Sequence, residues 1–230
     1  MDGRKEPEMS ASDFERYEIE IDNPLYPIAL KDMNEPPEKL YVIGNPSVLS
    51  AKSIAVTGTR RSSPYGEEAS KIVANEALAA FVPVITGGAV GCESVAARTV
   101  LENGGLHIAV VGTGADVDYP SSNVDMFELT VETGGAIVSI SPWGKGPTRA
   151  GFARRRKVIA ALSQMMVVVE AGFPSGVFST AECAMELGRE VWACPGGFFA
   201  PESRGCNMLI EGGAKIICDS SSISRAISSL

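Results

Sequence analysis

Short apolar runs alternate with helical stretches along most of this 230-residue chain, and this alternation constrains the fold more than any other feature. The apolar runs predict strands over residues 53–57, 83–86, 107–111, 136–139, 165–170, 190–194 and 215–218. The longer helical period predicts helices over residues 67–80, 93–103, 124–133, 154–162, 180–187 and 206–211. Strands that are apolar nearly throughout and are followed by helices form a parallel sheet covered on both faces. We therefore predict an α/β, Rossmann-like, doubly wound fold with a mostly parallel sheet and helices on both faces.

The two ends of the chain lack this alternation. Residues 1–25 are polar and aperiodic, which predicts a disordered or loosely attached N-terminal tail, and Pro-punctuated apolar pieces from residue 26 to 45 predict an extended N-terminal arm. Residues 26–218 are predicted to form one Rossmann-like domain, and residues 219–230 a short C-terminal tail or helix. Because no secretion signal or bilayer-length apolar run is present in the sequence, we expect a cytoplasmic protein with no membrane partner.

The histidine and cysteine content limits the chemistry of the chain. Its five cysteines contain no C-x-x-C pair, so buried free thiols are expected. Its one histidine, His107, begins a predicted strand, where a structural role is more common than a catalytic one. Triad catalysis and His-rich zinc sites need an imidazole at the site. We therefore expect no catalytic residue of these classes and no metal site.

Four glycine- or serine-rich turns follow predicted strands, at residues 58–63, 86–91, 112–116 and 175–180. Parallel strands end at one edge of a sheet, where glycine lets a phosphate approach the backbone and hydroxyl groups add donors. The P-loop motif G-x-x-x-x-G-K-[ST] is absent, and Gly112-Thr113-Gly114 lacks the third glycine of G-x-G-x-x-G. We expect neither ATP hydrolysis nor dinucleotide chemistry, and no cofactor; the nearby Asp116 and Asp118 are interpreted as caps.

The distribution of charge predicts a local anion site. A net charge of −8 argues against a protein that coats duplex DNA with a broad positive surface. Cations are nevertheless concentrated at Arg149 and in the run from Arg154 to Lys157, at the start of a predicted helix, where they oppose the helix dipole unless an anion is nearby. A solvated basic face explains this run equally well. Arg60 is the sharper candidate, because a guanidinium at a strand end can clasp a phosphate through two bonds.

An ordered set of motifs from about Tyr26 to Ile217 resembles the DNA-processing protein A (DprA/Smf) family. The motifs are Tyr26-Pro27, Gly58-Thr59-Arg60 with Ser63 and Tyr65-Gly66, Thr86-Gly87 with Ala89 and Gly91, Gly112-Thr113-Gly114-Ala115-Asp116, Phe152 with Arg155, Val169-Glu170-Ala171, Ser175-Gly176, Thr180-Ala181, Pro195-Gly196 and Gly205-Cys206-Asn207.

This resemblance implies a non-enzymatic protein that binds single-stranded DNA in a basic pocket and helps to load a RecA-type recombinase during DNA uptake. We also expect a homodimer. The residues carried over by position as forming or framing the pocket are Gly58, Arg60, Ser63, Gly87, Gly91, Arg155, Lys157, Ser175, Gly176, Thr180 and Asn207.

The second glycine-rich motif departs from the family pattern. Where the family reads Ser-Gly-x-Ala-Arg-Gly-Ile-Asp and then a histidine, this chain has Val90, Cys92, Glu93 and Ala97 at the Arg, Ile, Asp and His positions. One expected cation is therefore lost. The Arg-Asn-Arg of the family appears as Arg155-Arg156-Lys157, which replaces an amide with another cation.

Two other functions remain open from the sequence. A small-nucleotide site of the lysine-decarboxylase-like phosphoribohydrolases would fit the loops, but the P-G-G-x-G-T-x-x-E signature is broken after Pro195-Gly196-Gly197. A scaffold with a degenerate pocket would fit the altered second motif. Few residues could stack on DNA bases; Tyr119, Phe152 and Phe178 are candidates, although each is also compatible with the core.

Overall fold

The computed structural model describes residues 14–230, which fold around a single mixed sheet. The strands are β1 (Arg16–Glu20), β2 (Lys39–Gly44), β3 (Ile54–Thr57), β4 (Val84–Thr86), β5 (His107–Val110), β6 (Ala136–Ser139), β7 (Met165–Val168), β8 (Glu190–Ala193) and β9 (Lys215–Ile216). Their order is β1-β2-β6-β5-β4-β3-β7-β8-β9. Strands β6, β5, β4, β3, β7, β8 and β9 are all parallel to their neighbours in this order. At one edge, β2 pairs antiparallel with β6, and β1 pairs antiparallel with β2. The prediction of a mostly parallel sheet is confirmed.

The helices are α1 (Ile28–Lys31), α2 (Pro64–Ala79), α3 (Cys92–Glu102), α4 (Val124–Glu132), α5 (Arg149–Leu162), α6 (Gly176–Glu186), α7 (Arg204–Glu211) and α8 (Ser220–Ser228). Three of them begin at least three residues earlier than the apolar period predicts, because side-chain caps extend their first turns. Ser63, Thr148 and Ser175 accept backbone N–H groups at the starts of α2, α5 and α6. The cap at Thr148 brings Arg149 into the first turn of α5.

The sheet is packed on both faces, as the apolar strands predict. On β7, Met166 and Val168 face a cluster formed with α1, α5, α6 and α7, whereas Met165 and Val167 face a cluster formed with α2, α3 and α8. A third cluster packs α4 and the rest of α3 against β5 and β6. Strand residues alternate between faces with a period of two, so a sheet buried on both faces needs apolar residues at nearly every position.

The N-terminal segment differs from the prediction of a loose tail over residues 1–25. Arg16–Glu20 pairs along its length with β2, and the arm predicted after residue 25 supplies β2 itself. An edge strand buries only one face and needs few apolar residues; Ile19 is 1% exposed and is the one buried residue of β1. The prediction is therefore wrong for residues 14–25, and residues 1–13 lie outside the described part of the chain.

The histidine and most cysteines are structural, as expected. His107 is fully buried between the hydroxyl groups of Thr86 and Thr130, at 2.9 and 2.8 Å, and burial lowers its pKa to about 3. All five cysteines are free thiols; Cys92, Cys194 and Cys206 are buried, whereas Cys183 is half-buried and Cys218 is exposed. No helix within residues 14–230 is long and apolar enough to cross a membrane.

Candidate nucleic-acid interface

The strand order changes direction between β3 and β7. The chain runs outward from β3 through β4, β5 and β6 on one side, and from β7 through β8 and β9 on the other. In open α/β sheets, ligands bind outside the carboxyl ends of the strands at such a switch point. The four predicted turns at 58–63, 86–91, 112–116 and 175–180 follow β3, β4, β5 and β7, so they share the carboxyl edge of the sheet, as predicted.

Glu170 occupies the switch point itself. Its carboxylate accepts hydrogen bonds from the N–H group of Ser63, at 2.9 Å, and from the Ser63 hydroxyl, and its carbonyl oxygen accepts from the Thr59 N–H group at 2.8 Å. A Cβ on Gly66 would lie 2.3 Å from Oε2 of Glu170, so a glycine is needed where α2 passes this carboxylate. Ser63 therefore holds β3, α2 and β7 together instead of presenting a free hydroxyl to a phosphate.

Glu93 occupies the second glycine-rich turn in a similar way. Its Oε2 accepts from the N–H groups of Gly87 and Ala89, at 3.0 and 3.1 Å, and its Oε1 accepts from the Thr57 hydroxyl at 3.1 Å. Both donors and the carboxylate are buried. The backbone amides that the sequence predicts to hold an external phosphate therefore hold a carboxylate of the same chain.

Arg155 lies directly above this turn. Its Nη1 donates to the carbonyl oxygen of Gly87 at 2.6 Å, and its guanidinium lies 5.3 Å from the ring centroid of Phe152. Burial lowers the pKa of Arg155, the negative charge of Glu93 acts in the opposite direction, and the neighbouring Arg60 and Arg156 lower it further. The Nε atom is buried and has no hydrogen-bond partner within the described chain. The guanidinium is thus held by one backbone carbonyl and one ring, and it has N–H groups that are not hydrogen-bonded within the described chain.

Arg60 and Arg156 complete an arginine cluster around Arg155. Arg60 is exposed in the turn after β3 and forms no ion pair with any of residues 14–230. Nη1 of Arg156 lies 3.5 Å from the position of a Cβ on Gly176, at the N-terminus of α6. Like charges held together raise the local positive potential and favour a bound anion, for which guanidinium groups are suited by their paired donors.

Five other predicted residues lie in the turns after β3 and β4 and in the first turns of α6. Gly58 and Gly91 allow close packing, because added Cβ atoms would lie 2.7 Å from Cβ of Cys92 and 2.4 Å from the carbonyl oxygen of Thr59. Ser175 caps α6, Gly176 is exposed at its start, and Thr180 is buried one turn further on.

The structure does not bring Lys157 and Asn207 into the cluster. Lys157 is exposed and, with Arg154, lines a cavity of about 700 Å³ between α5, α6 and arm residues 32–39. Asn207 exchanges two hydrogen bonds of 3.1 Å with the N–H and carbonyl groups of Gly196. Both of its polar groups thus fix the loop after β8.

Glu93 is predicted only as a departure from the family pattern, and Arg156 and Glu170 are not among the predicted site residues. An acidic residue in the first turn of a helix after a glycine turn is the signal that could have assigned Glu93 to the backbone amides. The contact of Arg156 with α6 depends on helix packing and has no local signal.

Aromatic side chains accompany the arginines along this edge. Tyr119 is 40% exposed and lies 5.7 Å from Phe152 between ring centroids, and Phe178 is half-buried against Phe173 at 5.4 Å. Phe173 is 48% exposed, with the guanidinium of Arg204 5.7 Å from its ring centroid. The edge therefore combines cationic groups with ring surfaces.

Comparison with known proteins identifies the family. The family model described as DNA recombination-mediator protein A matches residues 18–228. The chain belongs to this family. Its relatives include protein Smf of Escherichia coli, which is 35% identical over 201 residues; the match covers 87% of this chain and 54% of Smf. The chain thus spans about half the length of that relative.

Solved structures of the DprA family have the same fold. The X-ray structure of DprA from Streptococcus pneumoniae matches with a TM-score of 0.83 and 32% identity, over 93% of this chain and 74% of that one. DNA processing protein A from Helicobacter pylori, whose structure was described for its single-stranded DNA binding mode, matches with a TM-score of 0.85 and 26% identity, over 96% and 99% of the two chains. The resemblance identified in the sequence is confirmed, and the phosphoribohydrolase class is not the family that the chain matches.

Proposed function

We propose that the chain binds single-stranded DNA along the carboxyl edge of its parallel strands, with phosphates at Arg60, Arg155 and Arg156. The observation that carries the proposal is this arginine cluster, whose three members form no ion pair with any of residues 14–230. The Arg155 guanidinium is already held by its hydrogen bond to the Gly87 carbonyl oxygen, so little of its side-chain entropy is lost on binding.

The role of the site is binding rather than catalysis. Glu93 and Glu170 are the buried carboxylates at this edge, and the structure uses both of them to accept backbone and hydroxyl donors. A carboxylate engaged in this way is poorly placed to take a proton from a substrate. The Gly87 turn serves as a support for Arg155, and we propose that it does not itself hold a phosphate.

The family assignment supports a role as a recombination mediator. We propose that the DNA-bound protein delivers single strands to a RecA-type recombinase in the cytoplasm, and that it acts as a homodimer. The mass of the protein in solution, measured by light scattering, tests the dimer. The recombinase is tested by the rate of filament assembly on oligothymidine with and without the protein; an unchanged rate would contradict that part of the proposal.

Fluorescence anisotropy of a labelled oligothymidine across a salt series tests DNA binding, with a duplex of the same length for comparison. Arg60→Ala and Arg156→Ala should each weaken single-strand binding by about 1–3 kcal/mol. Each should also reduce the slope of log K against log salt by about 0.7 for every phosphate that the variant no longer neutralises. Arg225→Ala on α8 is the matched control, because Arg225 donates to serines of its own helix and its replacement should leave binding as in the wild type. Equal affinity of all four proteins would contradict the proposal.

A further inference from the structure

The loop after β8 holds two phenylalanine rings out into solvent. Phe198 and Phe199 are 90% and 93% exposed, and their rings meet edge to face with centroids 5.0 Å apart and an interplanar angle of 87°. The base of the loop is anchored, since Gly196 is held by Asn207 and the Pro195 carbonyl oxygen accepts from the Tyr65 hydroxyl at 2.6 Å. The Phe198–Phe199 pair is therefore an apolar tip on a fixed support.

This pair lies on the same edge of the sheet as the arginine cluster. Strand β8 neighbours β7, and β7 neighbours β3, which ends just before Arg60. Two strand spacings separate the ends of β3 and β8 by about 10 Å. Phe173, half-exposed beneath Arg204, follows β7 and lies between them in the strand order. Cationic and aromatic side chains thus follow one another along this edge.

Exposed aromatic residues are concentrated at this edge. Among residues 14–230 the exposed ones are Tyr65, Phe81, Tyr119, Phe173, Phe198 and Phe199. All except Phe81 lie in segments that follow the carboxyl end of a parallel strand. Phe81 is as exposed as Phe199, at 93%, but it lies at the opposite edge, between α2 and β4. Its position makes it a natural control for effects of exposed rings in general.

We propose that Phe198 and Phe199 form a stacking platform for unpaired bases of the DNA strand whose phosphates bind at the arginine cluster. This inference rests on the proposed function. Every base has a π face that can stack on an aromatic ring, whereas the bases of a duplex are already stacked on each other. The platform therefore favours single strands without reading their sequence.

Charge supports a nucleic-acid occupant over a protein one. The chain carries a net charge of −8, and the arginine cluster gives this edge a local positive charge that attracts phosphates. A strand held there is directed along the same edge toward the Phe198–Phe199 pair. An edge-to-face ring pair presents two differently oriented surfaces, which suits flexible unpaired bases.

The test compares an oligothymidine with an abasic oligomer of the same length, which keeps the phosphates and lacks the bases. Anisotropy titrations use the wild type, the Phe198→Ala/Phe199→Ala double variant and Phe81→Ala. The double variant should bind oligothymidine on the order of tenfold more weakly, with the abasic oligomer and the salt slope unchanged. Phe81→Ala should match the wild type for both oligomers. Phe198→Trp/Phe199→Trp should retain the preference for oligothymidine.

Each other result has a distinct meaning. Wild-type protein that binds neither oligomer would contradict the proposed function itself. A double variant that binds oligothymidine as tightly as the wild type, while Arg60→Ala weakens binding, would leave the phosphate site standing and refute the platform. Equal weakening for both oligomers would refute stacking as well. A change in solution mass without a change in oligothymidine affinity would assign the rings to a protein interface and overturn the proposal.

Discussion

Mild acid should destabilise the protein through its only histidine. His107 is buried and uncharged, with each ring nitrogen at a threonine hydroxyl, and burial lowers its pKa from 6.5 to about 3. Thr130 donates its hydroxyl hydrogen to the Met126 carbonyl, at 2.8 Å, so it accepts from Nδ1. The Gly88 N–H group donates to the Thr86 hydroxyl at 3.1 Å, which leaves that hydroxyl free to donate to Nε2. This network fits one neutral imidazole tautomer, and a second ring proton would require the Thr86 hydroxyl to give up its donation to Nε2.

The sign of the pH effect follows from the lowered pKa. Below pH 6.5 the unfolded chain takes up a proton at His107, whereas the folded chain does not until the pH approaches about 3. Stability is therefore fully present above pH 6.5 and is lost as the pH falls through this window. Between pH 7 and pH 5 the loss should be about 2 kcal/mol, given an unfolded pKa of 6.5 and negligible protonation of the folded state.

Urea unfolding followed by circular dichroism at pH 7 and pH 5 measures this loss. His107→Gln is the control: it should be less stable than the wild type at pH 7, and the part of the pH dependence that comes from His107 should disappear. Because the sequence has one histidine, the window from pH 7 to pH 5 isolates it from most carboxyl groups. If His107→Gln lost about 2 kcal/mol between pH 7 and pH 5, as the wild type should, His107 would not be the source of the pH dependence.

Three further substitutions test the supports of the site. Glu93→Ala leaves two buried N–H groups without their acceptor and should lower the free energy of unfolding in urea by about 2–5 kcal/mol. The affinity for oligothymidine should fall as well. An unchanged affinity would show that the turn does not position Arg155. Gly91→Ala should lower the free energy of unfolding by more than about 2 kcal/mol, because φ is +83° and the new Cβ would lie 2.4 Å from a backbone oxygen. Gly188→Ala is the control: φ is +70° but the space is open, so the loss should be only about 1–2 kcal/mol. Asn207→Ala removes two hydrogen bonds from the loop after β8 and should speed chymotrypsin cleavage at Phe198 and Phe199. The free energy of unfolding should fall by about 1–3 kcal/mol. An unchanged cleavage rate would mean that other contacts hold the loop.

The sequence alone determined the sheet from β3 to β9 and the four glycine- or serine-rich turns at its carboxyl edge. Strands buried on both faces must be apolar throughout, and this pattern is visible locally. Strand β1 was missed because an edge strand buries a single residue, Ile19, and leaves almost no hydrophobic period to detect. Helix starts were placed late because Ser63, Thr148 and Ser175 extend the helices through caps that lie beyond the apolar period.

The composition of the site was decided by the tertiary structure. Arg60 and Arg155 could be nominated from the turns and the resemblance, but Arg156 joins them only because α5 packs beside the start of α6. Lys157 follows directly in sequence and still leaves the cluster, because successive helical residues point about 100° apart. The glycine turn after β4 has the sequence of a phosphate-binding loop, but Glu93 folds back onto its amides and occupies it. A local sequence can supply donors, but which acceptor reaches them depends on the elements that the fold packs together.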